Sequence, residues 1–442
     1  MQSIGTSTRA KRLVRAIAKV LTFCALGLCL VWLGLWWCLR LPMQPAVAPA
    51  SALQADFIWG MSSSAFQSEG GEIDSNVLRM NKDLLREGKQ PQDPYGKAVD
   101  FRHRYREDIA LARQLGTTMY RISISWARVE PKKGQIDAAE LAYYDDVMAA
   151  LKEAGIQPLI TLDHFAYPGW VADQGGWTNA QTVDDFVKYA DLIARRYHTQ
   201  VRYWLTFNEA LADIAIDISY KASGVKDASA IRRNVVSAHR RSYELIHRID
   251  PQAMVTSNIA WLGDTTFSRV INEISDWTFL DQIADRMDYV AVDYYTNDIM
   301  DLGRGNANWY PDPPGLYRAL RFLSERFPTL PLMVAENGMA TDNGKPRADG
   351  VLREDALRDS VYWVQRARAD GIKVMGYFVW SLTDNFEWGS YAPRFGLYTV
   401  NALTDPTLAR SPTAAVPAYK SIIAKGGVGA EYRPVLPFDG RK

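Results

Sequence analysis

Two glutamates in this 442-residue chain close short apolar runs: Glu209 in Thr206-Phe207-Asn208-Glu209, and Glu336 in Ala335-Glu336-Asn337-Gly338. A carboxylate at the end of a buried strand is costly unless something there uses it or pairs with it. Two carboxyl groups facing each other across a cleft suit glycosidic bond cleavage. One protonates the leaving oxygen while the other attacks the anomeric carbon, and a gap of about 5 to 5.5 Å gives retention through a covalent glycosyl-enzyme. Either glutamate alone reads as well as a helix cap or an arginine partner; two of them in matching positions favour the chemistry. No pairing of His with carboxylates at metal-ligand spacing occurs, so neither metal nor cofactor is expected.

The elements that must position these groups follow from alternation of short apolar runs with longer amphipathic stretches, the pattern of βα units around a parallel sheet. Eight runs are predicted strands: Phe57 to Gly60, Met119 to Ser125, Gln157 to Leu162, Tyr203 to Phe207, Met254 to Asn258, Tyr289 to Asp293, Leu332 to Ala335 and Val374 to Trp380. Between them, Tyr105 to Leu115, Ala139 to Ala154, Thr182 to Tyr197, Ala230 to Arg248 and Glu354 to Ala369 carry apolar residues three and four apart, as helices do. The expected fold is a single (β/α)8 barrel over residues 55–430, followed by a tail at 431–442. Barrel active sites form where strands run out at their C-terminal ends. There Gln67 follows strand one, Arg121 lies on strand two, His164 ends strand three, and Asn208 and Glu209 end strand four. Tyr295 follows strand six, Glu336 ends strand seven and Trp380 ends strand eight. His103, His198, His239 and His247 have no such placement and read as surface or structural residues.

Seven segments occur in order along these strands. They are Phe57-Ile58-Trp59-Gly60 with Ala65-Phe66-Gln67-Ser68-Glu69-Gly70; Tyr120-Arg121 through Ser125-Trp126 to Arg128; Asp163-His164-Phe165 with Pro168; Thr206-Phe207-Asn208-Glu209; Asp293-Tyr294-Tyr295; Glu336-Asn337-Gly338; and Trp380 through Asp384-Asn385-Phe386-Glu387-Trp388 to Arg394-Phe395-Gly396. Over about residues 56 to 400 the chain resembles glycoside hydrolase family 1, the β-glucosidase and β-galactosidase family. The resemblance implies a retaining β-glycosidase with Glu209 as acid/base and Glu336 as nucleophile, the latter supported by Arg121, Tyr295 and Asn208. It further implies that Gln67, His164, Trp380, Glu387 and Trp388 hold the sugar. A carboxylate at Glu387 repels a 6-phosphate, so unphosphorylated β-glycosides are expected; glucose and galactose stay undistinguished. The alternative is a noncatalytic barrel that binds a glycan or a partner, since fold alone does not fix function, although such a barrel would be expected to lose one of the two carboxylates.

The chain departs from the family pattern in three places. Asp293 stands where Asn is usual, Phe165 replaces a common Trp, and the stretches from Glu209 to His239 and from Asn258 to Asp288 are short. Shorter βα loops predict a shallow, open mouth, which with a membrane tether suits a lipid-linked or bulky aglycone.

That tether is read from the first 40 residues, which hold Arg9, Lys11, Arg12, Arg15, Lys19 and Arg40 and no acidic residue. Residues 20 to 39 carry no charge, enough for a helix to cross roughly 30 Å of hydrocarbon. The expected order is a basic cytoplasmic N-terminus at 1–19, a transmembrane signal-anchor helix at 20–40 and a linker at 41–54, which places the barrel outside the cytoplasm. The alternative is secretion or release to a periplasm after cleavage near residues 48–50, where Ala46-Val47-Ala48 and Ala48-Pro49-Ala50 resemble processing sites. Without the first 40 residues, 45 basic side chains face 50 acidic ones, and that balance argues against nucleic-acid binding. Cys24, Cys29 and Cys38 all lie in the apolar run, so the barrel has no thiol for a disulfide or a metal. A carbohydrate substrate and the membrane are the expected partners, and the oligomeric state is left open.

Overall fold

The computed structural model describes residues 21, 22, 24–29, 31, 32, 34, 43–89, 93–211, 225–296, 298, 300 and 309–436. The chain divides into Met1–Pro42 and Met43–Lys442. In the first unit the described residues between 21 and 34 are helical, and Leu21, Leu26, Leu28, Val31 and Trp32 are exposed. Among the described residues no helix is long and apolar enough to cross a membrane. The segment expected to do so, 20–40, lies only in part among them, and the basic stretch 1–19 lies wholly outside.

The second unit is a closed barrel of eight parallel strands. They are β1 (Ile58–Ser62), β2 (Met119–Ser123), β3 (Gln157–Asp163), β4 (Tyr203–Phe207), β5 in two runs (Met254–Thr256 and Asn258–Trp261), β6 (Val290–Tyr294), β7 (Leu332–Asn337) and β8 (Val374–Trp380). Neighbours pair in chain order, and β1 pairs with β8. The ring closes through β5, whose first run pairs with β4 and whose second pairs with β6. The break falls at Ser257, whose hydroxyl donates to the Phe207 carbonyl at 3.1 Å. Strand seven runs two residues beyond its predicted end because β6 and β8 both continue the ladder, pairing Asp293 with Glu336 and Val379 with Asn337.

The outer layer comprises α1 (Phe101–Leu115), α2 (Ala138–Ala154), α3 (Gln181–Tyr197), α4 (Val225–Ile249), α5 (Thr266–Asn272, continued by a π turn at Glu273–Trp277 and by Thr278–Ile283), α6 (Pro313–Arg326), α7 (Arg353–Ala369) and α8 (Ala415–Lys425). Periodicity singles out five of these. α5 is interrupted by its π turn, and α6 opens on Pro313-Pro314, which suits a first helical turn but reads as a breaker in sequence.

Met119, Leu159, Leu205, Tyr289, Ala291, Met333, Ala335 and Phe378 fill the barrel interior, as the stacked inward side chains of such barrels do. Gly60 is required there, because a Cβ would come 2.2 Å from the Phe378 ring. The expected linker is not loose where it is described. Ala48 hydrogen-bonds the Tyr362 hydroxyl through both N and O, at 2.9 and 2.8 Å, and Leu53 N donates to Gly426 O at 2.7 Å. Part of the C-terminal tail is likewise packed: Leu436 is buried, and its N–H donates to Asp359 Oδ2 at 2.6 Å.

Candidate active site

At the C-terminal rim the strands release their side chains into one cavity of about 830 Å3. Gln67, His164, Asn208, Glu209, Tyr295, Glu336, Trp380, Glu387 and Trp388 line it. Arg121, the tenth residue singled out in the sequence, is fully buried on β2 directly behind Glu336.

Glu336 is held from both sides. Arg121 Nη1 donates to its Oε1 at 2.6 Å and the Tyr295 hydroxyl donates to its Oε2 at 2.6 Å. The arginine is fixed in turn by Thr161 Oγ1, 3.0 Å from Nε, and by Asn208 Oδ1, which accepts from Nη2. The next residue locks β7 to its neighbours, since Asn337 Oδ1 accepts from the Tyr377 hydroxyl at 2.7 Å and its Nδ2 donates to Tyr294 O at 2.5 Å. Gly338 has no room for a side chain, because a Cβ would lie 2.1 Å from Trp380 O.

Glu209 sits just past β4 with φ of 41°, in the left-handed region that a non-glycine residue enters at a cost. Its backbone N–H donates to Asn258 Oδ1 at 3.1 Å. Carboxylate oxygens of Glu209, Glu336 and Asp293 all lie within 4.8 Å of one another. Burial pushes the Glu209 acid well above its usual range, helped by the negative charges of Glu336, Asp276 and Glu387 and opposed by Arg121. Burial also pushes Glu336 upward, but there Arg121 and the Tyr295 hydroxyl pull the other way. Both acids are raised, Glu209 the more strongly, because the groups that favour the ionised form gather on Glu336. Three clustered carboxylates have the spacing of a cation site, but here the guanidinium of Arg121 supplies the positive charge.

The opposite wall is a polar network. Gln67 Nε2 donates to Glu387 Oε2 at 3.1 Å and to Asn385 Oδ1 at 3.3 Å. Trp380 Nε1 donates to the same Glu387 oxygen at 3.3 Å. The His164 ring stacks on Trp380 at 5.9 Å, and burial with Arg121 nearby drives its pKa well down, so it is neutral. Trp388 is 42% exposed and tilts against Phe165 at 5.0 Å, forming the rim. Of the other histidines, His239 is buried and bonded to Thr206 and the Arg286 carbonyl, a structural role.

Three cavity groups and one residue bonded to the cavity lining, Asn258, escaped the sequence reading or received no role in it. Asn258 opens the second run of β5 and links Asn208 with Asp293; as the last residue of the fifth predicted strand it was within reach of the strand-end rule. Asp276 lies on the π turn of α5, is buried, and has its pKa pushed up to about 6 by burial. Arg232 on α4 donates to the Ser275 carbonyl, and Trp309 packs on Tyr295 at 5.6 Å. No periodicity marks these three. The Glu209 to His239 stretch that would define the mouth lies partly outside the described residues.

The family model described as glycosyl hydrolase family 1 matches residues 50–273 and 289–428. Beta-glucosidase A of Acetivibrio thermocellus is 27% identical over 444 residues, spanning 84% of this chain and 98% of that protein. A 6-phospho-beta-glucosidase of Dickeya chrysanthemi is 29% identical over 411 residues, spanning 75% of this chain and 88% of its own length. Among solved structures, a beta-glycosidase from Pyrococcus horikoshii superposes with a TM-score of 0.75 at 26% identity, covering 88% of this chain and 99% of that one.

Proposed function

The chain belongs to glycosyl hydrolase family 1 and is a β-glycosidase acting on O-glycosyl bonds, and we propose that it works by double displacement with retention. Glu336 attacks the anomeric carbon while Glu209 protonates the departing oxygen. Glu209, now a carboxylate, then takes a proton from the water that releases the sugar. The observation that carries this reading is that one oxygen of each carboxyl group lies within 4.8 Å of the other in the cavity. That is the spacing of direct attack; inversion needs roughly 6.5 to 9.5 Å to admit a water.

The glycone is an unphosphorylated sugar. Glu387 accepts from both Gln67 and Trp380 and brings a negative charge to the wall where sugar hydroxyls dock. A phosphate there would meet that charge.

The aglycone is apolar and bulky, lipid-linked in the natural substrate. Leu211, Ala228, Ala260, Trp261, Ile271 and Ile274 add apolar side chains to the lining of the same cavity. The uncharged run at 20–39 anchors the chain, leaving residues 1–19 in the cytoplasm and the barrel outside it. The hydrogen bonds of Ala48 to Tyr362 support retention of the anchor, since processing at 48–50 would remove them.

Full-length protein in detergent, assayed on aryl β-glucosides, galactosides and 6-phosphoglucosides beside E336Q, tests the reaction. Wild type should hydrolyse an unphosphorylated glycoside and E336Q should not. Hydrolysis by both, or by neither, contradicts the assignment. Glycolipid in vesicles should be cleaved faster than a short aryl glycoside; equal or slower cleavage rejects the lipid aglycone.

A further inference from the structure

Asp293 is almost fully buried and closes the cluster with Glu209 and Glu336. Its Oδ2 accepts from Asn258 Nδ2. Its Oδ1 is buried and has no hydrogen-bond partner. An ionised carboxylate taken out of water normally collects several donors; Asp293 has one.

The charge balance points the same way. Facing Asp293 are Arg121 from β2, Glu209 at the end of β4, Glu336 from β7 and the Tyr295 hydroxyl just past its own strand. β5 contributes the neutral Asn258. Arg121 is the cation of the set, and it is committed to Glu336 at 2.6 Å while standing 3.9 Å from Asp293 Oδ1. With Glu336 ionised against Arg121, a second anion at Asp293 would have nothing to neutralise it.

We infer that Asp293 is a neutral carboxylic acid in the working enzyme, a positioning residue that leaves the Arg121 guanidinium to Glu336 and holds Asn258 through its Oδ2. Burial and the charges of Glu336 and Glu209 raise its acid well above the usual range, in agreement with this geometry. The role builds on reading Glu209 and Glu336 as acid and nucleophile. Asp293 keeps its proton through both half-reactions and exchanges nothing. When Glu209 ionises after glycosylation, a neutral neighbour avoids opposing it with a second charge.

Infrared difference spectra of E209Q against E209Q/D293N at pH 7 read the proton directly, because Glu209 can then contribute no acid band. A protonated-carboxyl C=O stretch should vanish with Asp293. Loss of carboxylate stretches instead overturns the inference. Kinetics supply a second test. D293A should lower kcat/KM on an aryl glycoside roughly 10- to 100-fold, as leaving Asn258 Nδ2 without its buried acceptor does. D293N, which keeps a neutral side chain with an acceptor for Asn258, should fall less and leave the alkaline limb of the pH profile in place. A limb that moves to lower pH in D293N means that an ionised Asp293 had been holding the Glu209 proton, and contradicts it. If wild type hydrolyses no glycoside, the reading of Glu209 and Glu336 fails, while the infrared result still reports on Asp293.

Discussion

The Tyr295 hydroxyl lies 2.6 Å from Glu336 Oε2, on the side of the carboxylate opposite Arg121. It is the only contact among those described for Glu336 that could be removed without disturbing the guanidinium, and it favours the ionised form. The two glutamates are alike in chemistry and close in space, so what separates their roles is this unequal supply of donors.

Replacing Tyr295 by Phe should therefore raise the Glu336 pKa. The acid limb of kcat/KM should move to higher pH, and its maximum should drop roughly 10- to 100-fold. A pH profile on an aryl glycoside checks this, and an unmoved acid limb would show that the hydroxyl does not tune the nucleophile.

Removing Glu209 should act on the leaving group. E209A is expected to lose about 10²- to 10⁴-fold on alkyl glycosides and far less on glycosides of acidic phenols, which depart without a proton. Added azide, which needs no base, should restore turnover of the activated substrate as a glycosyl azide. Equal losses on both substrate types would remove Glu209 from the acid's role.

Stability should carry the same signature. The folded-state pKa of Glu209 is raised, so between the ordinary glutamate value of about 4.3 and the raised one the native state holds a proton that the unfolded state has lost. Stability then falls as pH climbs through that window, by about 1.4 kcal/mol for each unit of displacement. E209Q removes the ionisation, so its gain in Tm over wild type should be small at pH 4 and largest near pH 7. A gain independent of pH would mean that burial of this acid costs nothing.

Glu387 should set the tolerance for phosphate. E387Q is expected to lose roughly 10- to 100-fold in kcat/KM on an unphosphorylated glucoside, with a smaller loss on the 6-phosphoglucoside. The ratio between the two substrates is the quantity to measure, and an unchanged ratio would place the discrimination elsewhere.

The barrel and most of its rim were legible because strand ends in such a fold are where side chains become available, and apolar runs mark strands well. All eight predicted runs coincide with strands, differing at their ends. What stayed hidden depends on geometry that no local pattern encodes. Ser257 splits β5 and re-aims Asn258 into the site. Asp276 reaches the cavity from a π turn, where helical periodicity fails, and residues 274–288 fall outside the family match. Asp293 was visible as a departure, but its company of two carboxylates and a single guanidinium appears only when β2, β4, β6 and β7 are brought together. The membrane helix expected at 20–40 rests on hydropathy alone, since that segment is only partly described and no helix among the described residues is long and apolar enough to cross a membrane.

The most direct measurement is to trap the intermediate with a 2-deoxy-2-fluoro glycoside bearing a good leaving group and to map the adduct by peptide mass spectrometry. Attack by Glu336 predicts one glycosyl unit on the peptide that contains it, with loss of activity in step with labelling. Full inactivation with the label on another residue, or turnover with no covalent adduct and an inverted product anomer, would contradict it.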